Sequence, residues 1–354
     1  MNDKSGSKKT ILPTLGARER MPAEWKPPAP AWSAVFDTPS GLLVMAYMAT
    51  QLRAGGAQEH LERMNGFCAA ADGPDNLEAV RFVDRAGVET IVSIGYWTSP
   101  IRYERWQASS GFGVWWSDSA RTREPNAYFR EVLTVPTDRV ETIFGSPEVV
   151  GAAKTMRTIR GPVREHNYWG SMRHRMPIAA YNDLVSRYGE SLPRLGAAAT
   201  EGKRLRVTAP ENLAVIRSGQ DWSGCDDDEC ALYEESVRPA LVKGMDFLRG
   251  HPQETGCCDM RLAQEIDARG AALRKSCGLG LFLTLGHLER WSGTHPTHHA
   301  IFARFAGLVR RRQFKFDLRL WHEVSVLPGA GQVFEYINCH NGTGLLPYFP
   351  AEEF

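Results

Sequence analysis

Three of the ten histidines in this 354-residue chain crowd into one run, His295-Pro296-Thr297-His298-His299. Proline suits the first turn of a helix, where its missing N–H has no partner to lose. His298 or His299 would then project from the start of a helix ending near Arg310. His295 and His299 lie four apart on one face, as a zinc pair would, but no Glu follows the first histidine. A single imidazole bound axially to a haem iron needs no motif, so pattern alone neither demands nor refuses that role. Incidental imidazoles at a surface helix start stay equally open.

A second histidine stands in Leu318-Arg319-Leu320-Trp321-His322-Glu323-Val324-Ser325-Val326, whose alternation predicts a half-buried strand. Leu320, His322 and Val324 share one face. A histidine there is either a hydrogen-bonded core residue or, lining a pocket, a proton carrier with an ordinary pKa of roughly 6.5. Ser218, in Ile216-Arg217-Ser218-Gly219-Gln220-Asp221-Trp222, reads as the end of a strand entering a turn. No Gly-x-Ser-x-Gly surrounds it, so it is no nucleophile elbow. Gly278 and Gly280 form no dinucleotide fingerprint. Glu165 to Pro177 is crowded with aromatic and basic groups, a loop composition that suits a site or a solvated surface.

The elements that position these residues repeat in order. A strand from Leu42 to Met48 precedes a helix from about Gln58 to Ala70. Val80–Val83 and Thr90–Trp97 flank the turn Asp84-Arg85-Ala86-Gly87, a helix carries Tyr103 and Trp106, and Phe129–Val135 is a strand. In the second half Ala214–Arg217 is a strand, Tyr233–Arg249 a long helix and Asp267-Ala268-Arg269-Gly270 a matching turn. Gly280 to Trp291 matches Gly95 to Trp106, both ending in Glu-Arg-Trp, and His322-Glu323-Val324 echoes Arg130-Glu131-Val132. Each half reads β-α-β-β-α-β. The expected class is α+β, two ferredoxin-like halves from an internal duplication forming one barrel-like core with surrounding helices. The expected parts are an extended arm (1–33) anchored by Trp25 and Trp32, a first half (34–150), a connecting, site-lining segment (151–206) and a second half (207–354).

Hydrophobic residues make up 43% and charged residues 23%, with net charge +1. That is a globular balance with nothing advertising nucleic acid or an anionic membrane. The start carries no secretory pattern, and the apolar stretch Leu279–Leu285 is too short to span a bilayer. The seven cysteines fit no zinc spacing, and no Cys-x-x-Cys-His occurs for covalent haem. Reduced, structural thiols in a cytoplasmic protein are the expectation, and Asn341-Gly342-Thr343 is then a chance sequon.

Taken together, five runs resemble the haem-containing aldoxime dehydratases, along nearly the whole chain after the arm. They are Glu-His-x-Tyr-Trp-Gly-Ser-Met-Arg-x-Arg (165–175), Ile-Arg-Ser-Gly-Gln-Asp-Trp (216–222), Glu-Arg-Trp with His-Pro-Thr-His (289–298), His-Glu-Val-Ser-Val (322–326) and Tyr-Ile-Asn-Cys-His-x-Gly-Thr-Gly (336–344). The resemblance implies an aldoxime-to-nitrile lyase, with non-covalent haem b, ferrous when active, in a homodimer. It implies His298 as proximal ligand, with His299 as rival because a second histidine follows directly. It implies His322 as distal acid/base, Ser218 on the oxime hydroxyl, Arg175 and Glu141 in the distal network, and a structural role for His166. The competing readings are peroxide or chlorite chemistry on a related haem fold, a haem sensor without turnover, and a metal-free ligand-binding barrel.

Overall fold

The computed structural model describes residues 21–36, 41–156, 158–194 and 199–354. After the short strand β1 (Ser33–Val35) come β2 (Leu42–Gln51), α1 (Ala57–Cys68), β3 (Asn76–Val83) and β4 (Glu89–Trp97). Then follow α2 (Pro100–Ser109), α3 (Phe112–Ser117) and β5 (Ala127–Pro136). The first half ends with β6 (Val140–Phe144), and β7 (Thr158–Arg160), α4 (Ser171–Arg175) and β8 (Arg204–Val207) follow. The second half begins with β9 (Ala214–Asp221), α5 (Asp227–Leu232), a π-helical turn (Tyr233–Val237), α6 (Arg238–Gly250) and α7 (Pro252–Thr255). It continues with β10 (Cys257–Ile266), β11 (Ala272–Phe282), α8 (Leu285–Thr294), α9 (Pro296–Arg311) and β12 (Arg319–Val326). The last strands are β13 (Val333–Ile337) and β14 (Ala351–Glu353).

The molecule is a mixed α/β protein built on a large antiparallel sheet. Its two halves show the same neighbour order, β5-β2-β4-β3 and β12-β9-β11-β10, joined where β3 pairs with β10. The turns at the two hairpins are chemically alike. Asp84 Oδ1 accepts from the N–H groups of Ala86 and Val88, and Asp267 Oδ1 from those of Arg269 and Ala271. Gly87 and Gly270 take φ of 80° and 84°, which glycine adopts without strain. Two strands cross between the halves: β6 leaves the first to pair with β12, and β13 leaves the second to pair with β5. A shared core draws Tyr47, Ile94 and Leu133 from one half and Leu279, Leu281 and Trp321 from the other.

The outer faces are filled differently. Over the first half, Trp97, Trp106, Phe112 and Trp116 pack on Val44, Ala46 and Met48, with Phe112 stacked 4.9 Å from Trp106. Over the second half, Leu241, Met245 and Leu248 of α6 and Leu285, Leu288 and Trp291 of α8 cover β9 to β12. Each such side chain buried contributes roughly 1.5–3 kcal/mol.

Two details differ from the sequence expectations. The long helix starts at Asp227 rather than Tyr233, because Asp226 caps it by accepting from Glu229 N at 2.8 Å and three acidic residues complement its positive end. Ser218 lies in the middle of β9, not at its end, since pairing with β11 and β12 on both sides carries the strand on to Asp221. The spacing of His295 and His299, already short of a zinc motif, serves the helix start instead. His295 caps α9 by accepting from Thr297 N, whereas His299 Nε2 bonds Gly293 O at 3.0 Å. All seven cysteines are free thiols. Among the described residues no helix is long and apolar enough to cross a membrane. The first twenty residues of the expected arm lie outside the described chain. Its remainder is anchored as expected, through Trp25 Nε1 on His166 O at 3.1 Å and the bridge of Trp32 to Phe144.

Candidate active site

The outer face of the second half carries the candidate residues because strand alternation puts them there. Ser218 and His322 are direct partners in the β9–β12 ladder, and Gly278 of β11 sits opposite Ser218 on the other side. Glu141 pairs with Val324, so it rises on the same face one step from His322. Their neighbours on the reverse face, Arg217 and Glu323, turn into the shared core, where Arg217 donates to Tyr96 and Glu265.

Arg175, the last residue of α4, completes the constellation from the connecting segment. Its Nε donates to Glu141 Oε2 at 2.7 Å and its Nη1 to Glu165 O, while Nη2 lies 3.2 Å from His322 Nε2. Glu141 Oε1 is 2.8 Å from that same His322 nitrogen. Burial pushes the Glu141 carboxyl up, but Arg175 and His322 outweigh it and hold it below the ordinary range, so it is ionised. His322 Nε2 thus meets a donor and an acceptor, and its Nδ1 has no partner among the described residues. Ser218 also keeps its hydroxyl free among them.

Across the face, His298 stands in the first turns of α9. Its ring lies edge-on to Trp291 at 4.9 Å between centroids. Burial, with repulsion from His299 and a smaller push from His322, lowers its pKa to about 4 against the Ser292 carbonyl, which favours the charged form. The imidazole is therefore neutral, one ring nitrogen held by a backbone carbonyl. That is how proteins commonly orient a metal-binding histidine. His299, exposed and tied to Gly293, points elsewhere. The structure thus favours His298 over its rival. His166 is buried beside Arg175, its Nε2 unpartnered among the described residues and its pKa lowered by burial.

Haem fits this place. Ile216, Ser218, Leu320 and His322 remain half-buried although helices cover their face, while Arg217, Gly219, Trp321 and Glu323 on the reverse side are buried. Ile216 packs on an apolar cluster around Met245, Met260 and Val324, and Leu320 on another around Tyr233, Val237 and Leu308. Gly278 and Gly280 let the methionines approach the sheet closely: a Cβ at 278 would stand 3.2 Å from Met245 Sδ, and one at 280 only 2.7 Å from Met260 Cε. Apolar surroundings, a half-buried strand face and one neutral, desolvated imidazole suit a hydrophobic macrocycle that takes a histidine ligand. Over the first half, Met48 pairs with Arg130 where Ser218 pairs with His322, and tryptophans fill the space.

Sequence reasoning passed over several supporting residues. Arg173 Nε donates to Glu289 Oε2 at 2.8 Å, tying the 165–175 run to the Glu-Arg-Trp of α8. Tyr168 OH lies 2.6 Å from His174 Nδ1, one residue before Arg175. Glycines at alternate positions of one strand, as at 278 and 280, were a usable signal, because they mark a close approach to the sheet.

The sequence model of haem-containing dehydratases matches residues 46–345. Phenylacetaldoxime dehydratase of Bacillus sp. (strain OxB-1) is 37% identical over 337 residues, 95% of this chain and 96% of that protein. Aliphatic aldoxime dehydratase of Rhodococcus erythropolis is 37% identical over 336 residues, 92% and 93% of the two chains. A crystal structure of an aldoxime dehydratase in complex with butyraldoxime superposes with a TM-score of 0.87 at 34% identity, covering 96% of this chain and 94% of that one. The chain belongs to the family of haem-containing dehydratases.

Proposed function

We propose that this protein dehydrates aldoximes, R–CH=N–OH, to nitriles and water. The observation that carries the reading is the Ser218–His322–Glu141–Arg175 constellation, with the neutral His298 close enough to feel the charge of His322. His298 would hold the haem b. Bound there, the haem would supply a ferrous centre for the oxime nitrogen and a reservoir of electron density for cleavage of the N–O bond.

Everything else falls to side chains. Ser218 positions the oxime hydroxyl, its own hydroxyl being free to do so. Hydroxide is a poor leaving group, so His322 delivers a proton to that oxygen as the bond stretches. Because Nε2 is engaged by Glu141 and Arg175, the nitrogen facing substrate is Nδ1. The ionised Glu141 supports the imidazolium, and Arg175 fixes the carboxylate. After water leaves, the same imidazole takes the proton from the aldoxime carbon, so the proton given is recovered. A positioned acid/base group is worth roughly 10²–10⁴ in rate.

The test is anaerobic incubation of reduced, haem-loaded protein with an aldoxime and chromatography of the nitrile. Formation by the ferrous form, fading on oxidation, is expected. Equal yields from both forms would remove the electron flow from the scheme. The finer architecture belongs to the same proposal. Two ferredoxin-like halves, 34–150 and 207–354, derive from a duplication, as their equal strand orders and matching turns support, with 151–206 between them. A cytoplasmic homodimer completes it.

A further inference from the structure

We propose that Trp25, on the segment preceding β1, is a positioning residue for Arg175, so that the arm acts as a strap over the distal side of the site. The inference rests on the function proposed above. The contacts run in a chain. Trp25 Nε1 donates to His166 O at 3.1 Å, and Arg164 Nη2 donates back to Trp25 O at 3.1 Å. The indole meets Tyr168 edge-to-face at 5.6 Å between centroids. Tyr168 OH bonds His174, and the next residue is Arg175, whose Nη1 returns to Glu165 O. The indole thus holds His166 directly and His174, the residue before Arg175, through Tyr168.

The rest of the strap is fixed independently. β1 pairs with β7, Val163 N donates to Ala31 O at 2.8 Å, and Ala34 N donates to Thr142 Oγ1 at 2.9 Å, next to Glu141. Trp32 lies against Gly161, where a Cβ would come within 2.2 Å of its ring. The strap therefore touches the two backbone stretches that deliver Arg175 and Glu141. It touches neither β9 nor β12 through any of these bonds. The 165–175 run has little regular structure of its own, α4 being five residues long. Its guanidinium must be placed by what packs on it.

The experiment compares Trp25→Ala and Trp25→Phe in the full-length protein, each alone and with Arg175→Lys. Three readouts are kcat and KM for an aldoxime, thermal midpoint, and trypsin cleavage after Arg164 and Arg173 with and without haem. Trp25→Ala should lower kcat about 10- to 100-fold, the scale of a misplaced catalytic group. KM should change little, and the Arg175→Lys background should show almost no further loss. Cleavage after Arg164 and Arg173 should accelerate with or without haem. Trp25→Phe, which keeps the ring contact but not the hydrogen bond, should fall between and serves if the alanine variant does not fold. Unchanged kcat, an additive loss with Arg175→Lys, or unchanged cleavage would overturn the strap. A wild-type protein that makes no nitrile would overturn the function instead, while cleavage would still decide the strap.

Discussion

Ser218 and His322 face each other across one rung of the β9–β12 ladder. Their spacing is set by backbone hydrogen bonds, at the Cβ separation of roughly 4.5–5.5 Å usual for cross-strand partners. A substrate hydroxyl that touches one is held near the other without any flexible side chain intervening. His322→Ala should therefore fold, take up haem and still shift its spectrum when an aldoxime binds the ferrous form. Single-turnover nitrile formation should fall by roughly 10²–10⁴. Ser218→Ala should show a smaller loss, because it positions the hydroxyl without moving the proton. Near-normal rates in a folded, haem-loaded His322→Ala protein would take the imidazole out of the mechanism.

The contrast between adjacent histidines on α9 gives a second test. His298 is desolvated against Trp291, while His299 is exposed and spent on Gly293. His298→Ala should purify with little haem, and His299→Ala should keep the Soret band. The reverse outcome would move the axial ligand by one residue.

Glu141 and Arg175 form a buried ion pair, with side chains 0% and 1% exposed. Glu141→Ala leaves a guanidinium buried without its counter-charge, and unfolding in urea should show a loss of about 3–5 kcal/mol. Because the folded carboxyl titrates below its ordinary 4.5, its contribution is complete above that value and is lost as pH falls further. The stability gap between wild type and Glu141→Gln should thus narrow below pH 4.5. A gap that widened there would contradict the ionised assignment.

His60 offers a pH test away from the site. It is buried on α1 between Thr50 Oγ1 at 2.8 Å and Ser93 Oγ at 3.2 Å, and burial, helped by Arg63, lowers its pKa to about 3. The unfolded chain takes up this proton below about 6.5, while the folded chain resists until near 3. Stability from this group is full above 6.5 and drains as pH falls between the two. From pH 6.5 to 5 the loss should be about 2 kcal/mol. His60→Gln should be less stable at pH 7 but should show a slope flatter by about that amount. Parallel slopes would mean that His60 is already protonated when folded.

Local pattern carried much of the structure into view. Alternation from Leu318 to Val326 gave the face on which His322 lies, and the two Asp-x-x-Gly turns announced the hairpins. What stayed hidden was long-range pairing. Nothing around Glu141 says that β6 leaves its own half for β12, because strand alternation does not name a partner. Ser218 read as a turn for a related reason: Ser-Gly-Gln-Asp is turn-like locally, and only neighbours on both sides hold it extended. The start of α5 was missed because its first turn is acidic, with Asp227 and Asp228 exposed and Glu229 buried against the backbone N–H groups of Asp317 and Leu318, and has no apolar period to find. The family resemblance supplied the roles of Glu141 and Arg175, which neither spacing nor composition suggested.

The crossing of β6 and β13 has a consequence for how the protein could be taken apart. Each half surrenders a border strand to the other, so neither is a finished object when cut free. The second half would keep His298, Ser218 and His322 but would forfeit the carboxylate on β6 and the guanidinium that follows it in the chain. Two separately made fragments would be inert alone and competent together, a split enzyme whose recombination could be read directly as restored turnover.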